Sequence, residues 1–498
     1  MATSMQELYR VEQWRYRAEG NANLVLQYIG PDPRFKTTLL RLRKTDRQIT
    51  EKTPDSDTAT AEAPIDGHAT ETNDVSSESL FASKVMGLLL GQEFIEQLIP
   101  ISLPKEFLRE LAETIEPSRP EGRLHKAIDH SQITGFLVLD HTRFIKPSAG
   151  QPSVAVEIKP KWGFLTQSGF ICKDNDIKRR KCRFCMYQHR KIKLGQEDSL
   201  SEFCPIDLFS GEPPLVRNAL DSLVRTPQNN LRLFVDGEIW PISNEAMLQC
   251  LSGPGSAPKK PQRADSQTDV QERPLETSLT EVLVRILVQS PLLRRLGRLQ
   301  QALDSLDVET IHRFYAQLVD PAMGILPEPT LEEFLDTANS FLYRTDMNEM
   351  MDMEHEIFAT SIATSLGFGP EDDLDNPNTV PASLKLHYIR EFLLSATLKD
   401  CSILITVRRE DQADQIIEDV GTSSITRNGS SLGVGILEFS ENYRKIRVNN
   451  EDFIYKITCI DLDPKKIVSV PMYLKKDRDI VGYYLSIVGD RQQRCGSR

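Results

Sequence analysis

The spacing of apolar residues divides the chain into a strand-rich beginning and a mixed remainder. In NLVLQYIG (23–30) and TTLLRLRK (37–44) apolar and polar positions alternate with the two-residue period of extended chain, and the runs read as a hairpin. GFLVLD (135–140) and SVAVEIKPK (153–161) are further strands, the second ending at Pro160, which has no N–H for a central ladder. LRLFVDGEIWPI (231–242) predicts another hairpin, because Asp236-Gly237 suits the positive φ angles of a two-residue turn. From 278 to 350 the period changes to that of helices, as in TEVLVRILVQSPLLRRLGRLQQALDSL, and LKLHYIREFLLSATL (384–398) is another helix. SILITV (402–407) and YKITCIDLD (455–463) return to strands.

This order predicts an α+β protein of two lobes with a cleft between them, an N-terminal lobe over 1–145 and a C-terminal lobe over 146–498. Residues 48–78 and 252–276 are rich in small and polar residues and too poor in large apolar ones to bury a core. They are expected to be a disordered insert and a disordered linker.

Composition narrows the function. A net charge of −12 over 498 residues argues against a nucleic-acid coat, so no nucleic-acid partner is expected. No apolar run nears the ~18 residues of a membrane helix, and the opening MATSMQELYRVEQWRYR lacks a signal peptide's apolar core. A monomer of the cytoplasm and/or nucleus is expected, its eight cysteines mostly free thiols. Basic residues are concentrated in one place. Nine lysines and arginines fall between 173 and 193, against two acids, Asp174 and Asp176. Such an island suits an anionic partner, but equally a solvated helix face or a nuclear localisation signal in KRRKCR (178–183).

Several short segments carry candidate chemistry. Gly20 in RAEGNANLV (17–25) lets backbone amides approach a phosphate. Arg41 follows on the next strand, where phosphoryl-transfer enzymes keep a cation for the nucleotide. Glu157, Lys159 and Lys161 gather at the end of the 153–161 strand. Asn229, Asn230 and Arg232 in TPQNNLRLF (226–234) offer amides and a guanidinium for phosphate and hydroxyl groups. Asp400 lies between a helix end and an apolar strand, and Asp461 at the mouth of another, where acids can orient a hydroxyl or hold Mg²⁺. In RKCRFCMYQHRK (180–191), Cys182, Cys185 and His189, with Cys172 and Cys204, give a partial zinc spacing; packing thiols beside anion-facing bases are the favoured reading. GxxxxGK[ST], HExxH and GxSxG are absent.

Taken together, YRAEGNANLVL (16–26), LLRLRK, VEIKPKWGF, RFCMYQHRK, FCPIDLFSG (203–211), TPQNNLRLF, ATLKDCSIL and IDLDPKK resemble the inositol-pentakisphosphate 2-kinase family, in its order, with the look of a fungal-like member. The resemblance implies a two-lobed inositol-phosphate kinase fold, distantly like protein kinases, that converts inositol 1,3,4,5,6-pentakisphosphate to the hexakisphosphate (phytate) with ATP and Mg²⁺. It implies that Gly20, Asn21, Ala22 and Asn23 form the phosphate loop, that Arg41 binds ATP phosphate, and that Leu139, Asp140 and His141 lie at the adenine-reading hinge. Glu157 would help hold the nucleotide. Arg123, Lys159, Lys161, Asn229, Arg232, Lys465 and Tyr473 would hold inositol phosphates. Asp400 would be the catalytic acid–base residue, assisted by Lys159, and Asp461, with Asp400, would bind Mg²⁺. The family's usual DLDLKP stands here as DLDPKK. Plant members carry a zinc site in the C-terminal lobe; 280–380 holds His312 and His355 but no cysteine, so that site is not expected. The alternatives are a kinase for another inositol polyphosphate and a non-catalytic polyanion-binding adaptor.

Overall fold

A computed structural model describes residues 8–47, 79–131, 133–148, 150–252, 277–319, 324–345, 351, 373, 376, 378–410, 424–427, 439–488 and 495. Apart from Ser252, the stretches 48–78 and 252–276 lie outside the described residues, as does His355.

The first sheet has six antiparallel strands: β1 (Trp14–Glu19), β2 (Asn23–Tyr28), β3 (Thr38–Asp46), β4 (Ile99–Ser102), β5 (Lys126–Ile128) and β6 (Thr134–Leu139). They run in the order β1-β2-β3-β6-β4, with β5 on the far end of β3. The expected β2–β3 hairpin is present, with Asn23 opposite Arg43 and Val25 opposite Arg41. Alternation sends Leu24, Leu26, Leu40 and Leu42 to one face, where α1 (Lys105–Ile115) covers them with Phe107, Leu108 and Leu111.

The second sheet belongs to the larger part of the chain. Its strands are β7 (Val154–Ile158), β8 (Leu231–Val235), β9 (Glu238–Trp240), β10 (Ser402–Arg409), β13 (Arg444–Val448) and β14 (Glu451–Ile460), ordered β13-β14-β10-β7-β8-β9. Two short strands, β11 (Ser424–Arg427) and β12 (Phe439–Asn442), pair with each other. The β8–β9 turn has Asp236 at φ 46° and Gly237 at φ 82°, the positive pair expected of it. Val154, Val156 and Ile158 face the main core, while Ala155 packs on Phe234 and Leu404.

Helices fill out this lobe: α2 (Arg183–Lys193), α3 (Pro205–Phe209), α4 (Pro213–Arg225), α5 (Leu279–Gln289), α6 (Pro291–Ala302), α7 (Asp307–Leu318), α8 (Leu331–Arg344), α9 (Ala382–Leu398) and α10 (Val470–Val488). The periodic run after 278 divides at Ser290, which caps α6 through a 3.3 Å bond from the Leu292 N–H. Pro291 opens α6 because its missing N–H costs nothing in a first turn. Residues 81–94 fall within 1–145 in sequence, yet Phe81, Val85, Leu89 and Phe94 pack in the larger core. An isolated bridge from Ile95 to Cys459 links this segment to β14.

Candidate active site

Strand order explains why distant residues meet. Because β14, β10, β7 and β8 are neighbours, the ends that point toward the first lobe carry Asp461, Ser402, Lys159 and Asn230 side by side. Glu157 sits directly across from Arg232. Its carboxylate accepts from Arg232 Nη1 (3.3 Å) and Ser402 Oγ (3.1 Å), and Ser402 Oγ is 3.4 Å from Asp461 Oδ2. Lys159 Nζ lies 3.7 Å from the same Asp461 oxygen. Asp461 does not continue the strand face of Tyr455, Ile457 and Cys459, which is buried. It turns out at φ 63°, leaving its side chain 51% exposed.

Opposite this row stands the first lobe's nucleotide-loop candidate. Residues 20–22 form the β1–β2 turn, closed by Gly20 N–H to Asn23 C=O (2.9 Å), and a Cβ at Gly20 would meet open space. The turn is braced from below. Lys44 Nζ donates to Gly20 C=O (2.6 Å) and pairs with Glu19, which Arg119 holds through two 2.9 Å bonds. Arg41 is buried rather than solvated. Its Nη2 is 2.5 and 2.6 Å from the Asp463 carboxylate, and its Nη1 is 3.8 Å from Glu96. Asn23 Nδ2 also donates to Asp463 (3.0 Å), so this one carboxylate ties loop and strand to the second lobe. Burial, followed by the charges of Asp461 and Asp463, raises the Glu96 carboxyl to about 7 against the pull of Arg41.

Beyond this mouth, between α2, α9 and α10, opens a cavity of about 590 Å³. Arg183, Tyr187 and Lys191, spaced by one helical turn, present one face of α2 to it. Met472, Tyr473 and Lys476 do the same from α10. Lys161, Asn229, Asp400 and Lys465 complete the polar wall. Lys161 has φ 62°, the left-handed kink that follows Pro160 and turns the chain off β7. Burial pushes its ammonium down to about 8; Asp400 opposes this, while Lys159 and Lys191 add to it. Asp400, at the end of α9, accepts from Lys465 Nζ at 2.7 Å. Burial would raise its carboxyl, but Lys465, then Lys161 and Lys159, hold it below its ordinary value. Among the described residues neither Lys161 nor Lys476 has a carboxylate within ion-pair distance.

The structure therefore brings Lys161, Asn229, Asp400, Lys465 and Tyr473 together in the cavity. Gly20–Asn23, Arg41, Lys159, Glu157 and Asp461 meet at the mouth. Arg123 stays apart, in the first lobe, where its carbonyl accepts from Arg119 (3.1 Å). Arg232 turns to Glu157 and does not line the cavity. At the expected hinge position, Asp140 is 1% exposed and accepts from the Thr142 N–H (3.0 Å). His141 places Nδ1 3.2 Å from Thr458 Oγ1, and burial, aided by Lys456, keeps its ring neutral. The backbone here is engaged as well: the Asp140 N–H donates to the Thr37 carbonyl (2.8 Å), and the His141 carbonyl accepts from Thr406 Oγ1. Asp463 and Glu96 at the mouth, and Arg183, Tyr187, Lys191 and Lys476 in the cavity, were not among the predicted site residues. Only the α2 set had a readable signal, its i, i+4, i+8 spacing within the basic island.

That island serves two ends. Lys178 is buried and holds Asp307 (2.6 Å), Asp477 (2.9 Å) and Glu309 (3.2 Å), and Asp477 in turn holds Arg183 (3.1 Å). Its role is to fix α2, α7 and α10 to one another, and this part of the island faces neither solvent nor a ligand.

The family model described as inositol-pentakisphosphate 2-kinase matches residues 16–479. Among curated proteins, the inositol-pentakisphosphate 2-kinase of Oryza sativa is 27% identical over 98% of each chain. Proteins of the same name from Arabidopsis thaliana (27% identical, 95% of this chain and 93% of the relative) and Cryptococcus neoformans (25%, 96% and 94%) match almost as fully.

Proposed function

The chain belongs to the inositol-pentakisphosphate 2-kinase family, and on that premise we propose that it transfers the γ-phosphate of ATP to the 2-hydroxyl of inositol 1,3,4,5,6-pentakisphosphate, giving inositol hexakisphosphate. The observation that carries this reading is the cavity wall, where Lys161, Lys191, Lys465, Lys476 and Arg183 converge on a chain whose net charge is −12. A ring bearing five phosphates needs such a wall, because charge-assisted hydrogen bonds are roughly twice as strong as neutral ones.

In this reading the nucleotide phosphates lie under the Gly20–Asn23 turn against Arg41, with the base against the 139–141 backbone. The mouth fits a hard divalent cation. Burial raises Glu96 to about 7 and its carboxylate neighbours, Asp461 and Asp463, add to this, a share that a cation would relieve. Mg²⁺ held there would neutralise charge on the transferring phosphate. Asp463, which Arg41 and Asn23 tie to the mouth beside Asp461, is a further carboxylate for the metal, in addition to Asp400 in the cavity. Asp400 then orients the attacking hydroxyl and accepts its proton, while Lys159, 3.7 Å from Asp461, spans cation site and cavity. Lys161, Asn229, Lys465 and Tyr473 position the ring. Glu157 acts through Ser402, which it shares with Asp461. A monomer working in the cytoplasm and/or nucleus completes the reading, in keeping with eight unpaired cysteines. The run 178–183 lends the nuclear address little support, since Lys178 is buried. Among the described residues no helix is long and apolar enough to cross a membrane.

The test is incubation of the purified chain with ATP, Mg²⁺ and inositol 1,3,4,5,6-pentakisphosphate, with products resolved chromatographically beside Asp400→Asn. Conversion to the hexakisphosphate, lost in the variant, is expected. A folded protein that binds the substrate but leaves ATP and substrate unchanged would overturn the reading in favour of a binding role.

A further inference from the structure

Half of the chain's eight cysteines converge on one point outside the cavity. The sulfurs of Cys182, Cys185, Cys204 and Cys495 all lie within 4.8 Å of one another. They arrive from three segments: the first turn of α2, the residue before α3, and the C-terminal stretch after α10. Cys182 and Cys495 are buried, and the other two pack against the same core.

Local geometry suits a cation more than simple packing. Cys182 is the N-cap of α2, and its Sγ accepts from the Cys185 N–H (3.4 Å). The Cys182 N–H in turn donates to Cys495 Sγ (3.5 Å), and the Cys495 N–H donates to the Arg180 carbonyl (3.0 Å). Amides directed at sulfur favour thiolate and fix its direction, as the outer hydrogen bonds of metal sites do. Four thiolates 2.3 Å from a zinc ion sit about 3.8 Å apart, so the observed arrangement needs only a small contraction. Lys181, next to Cys182, supplies a neighbouring positive charge.

We propose that Cys182, Cys185, Cys204 and Cys495 bind one Zn²⁺ ion as a closed tetrathiolate structural site. Any thiols still protonated lose their protons on coordination, so binding is weaker at low pH. The set differs from the partial one in the sequence. His189 packs its ring on Tyr484 (centroids 5.1 Å apart), and Cys172 is exposed beside Glu309 and His312, so neither takes part. None of the four lies in 280–380. Soft thiolates select zinc over the hard cation of the mouth, which keeps the two sites chemically separate. The ion pins Cys495 to the first turn of α2, the helix that carries Arg183, Tyr187 and Lys191 into the cavity. It therefore acts on the pocket by positioning that helix, without touching substrate.

The test uses the full chain, free of any affinity tag, purified under reducing conditions without chelator, and measures zinc by mass spectrometry of the digested protein. About one zinc per chain is expected, falling by roughly tenfold in Cys495→Ser and in Cys204→Ser and unchanged in Cys172→Ser. Cobalt added to the stripped protein should give the visible absorption of tetrahedral thiolate coordination. Wild-type protein that is folded but carries no zinc and gives no such cobalt spectrum would overturn the proposal, whatever the folding of the variants. So would a disulfide between any two of the four, seen as a mass increase on reduction.

Discussion

The mouth and the cavity are built from the same side chains in opposite proportion. At the mouth two cations, Arg41 and Lys159, face Asp463, Glu96 and Asp461, and burial, with Asp461 and Asp463 adding to it, raises Glu96 to about 7. In the cavity the surplus is basic. Asp400 is held below its ordinary value, and Lys161 is pushed down to about 8 by burial among other ammonium groups. Each end is electrostatically incomplete, and in opposite senses: the mouth lacks a cation and the cavity lacks an anion. The buried Lys178 cluster is enclosed instead: three carboxylates surround the lysine, burial raises Asp307 to about 7 there as well, and the group ties helices together. Unbalanced charge marks a ligand site only where it also meets an opening, as it does at Asp461, 51% exposed, and along the cavity wall.

The largest expected effect comes from removing the acid that works inside the basic end. Asp400→Asn keeps the shape but loses the proton acceptor and the partner of Lys465. We expect kcat to fall by roughly 10²- to 10⁴-fold, with KM for the inositol phosphate changed far less. An equal rise in KM with kcat intact would make Asp400 a binding residue and remove the contrast between it and its lysine neighbours.

Next in size is Lys161→Met. Loss of one buried charge-assisted contact costs about 1.5–3 kcal/mol, so kcat/KM should fall by roughly 10- to 100-fold through KM. The pH dependence sharpens this. The ammonium form binds phosphate, so in the wild type KM should rise as pH passes about 8 in the free enzyme. Lys161→Arg, charged throughout, should remove that rise. A KM profile unchanged by the arginine would show that another group titrates there.

These charges were unequally visible in the sequence. The strands and the Asp236-Gly237 turn were legible because period and turn chemistry are local, and so were Asp400 and Asp461, which end a helix and a strand. The break at Ser290 was masked by apolar residues that keep helical spacing across it. Strand alternation gives the face of Arg41 but not what covers it, and here Asp463, 422 positions away, does so. Glu96 gave no signal, since only the approach of the two lobes buries it. The four-cysteine cluster was half legible: CxxC is local, whereas Cys495 enters 313 positions after Cys182.

The smallest effect tests the acidic end by itself. Glu96 binds its proton more tightly in the native state than at the ordinary value of 4.5, because burial and then Asp461 and Asp463 disfavour its charge. Between those two values the native protein holds more proton than the unfolded chain, so stability falls as pH rises from 4.5 to about 7 and stays low above it. Glu96→Gln does not ionise and escapes that decline. Against wild type it should be equal or slightly less stable near pH 5, having lost a weak contact to Arg41, and more stable near pH 8 by about 1–2 kcal/mol. Urea denaturation at the two pH values measures this. Mg²⁺ with ATP should shrink the difference at the higher pH, because a cation beside Asp461 and Asp463 lets Glu96 ionise at less cost. A difference that ignores both pH and Mg²⁺ would mean that the mouth is not short of positive charge, and the opposition between the two ends would fail at that end.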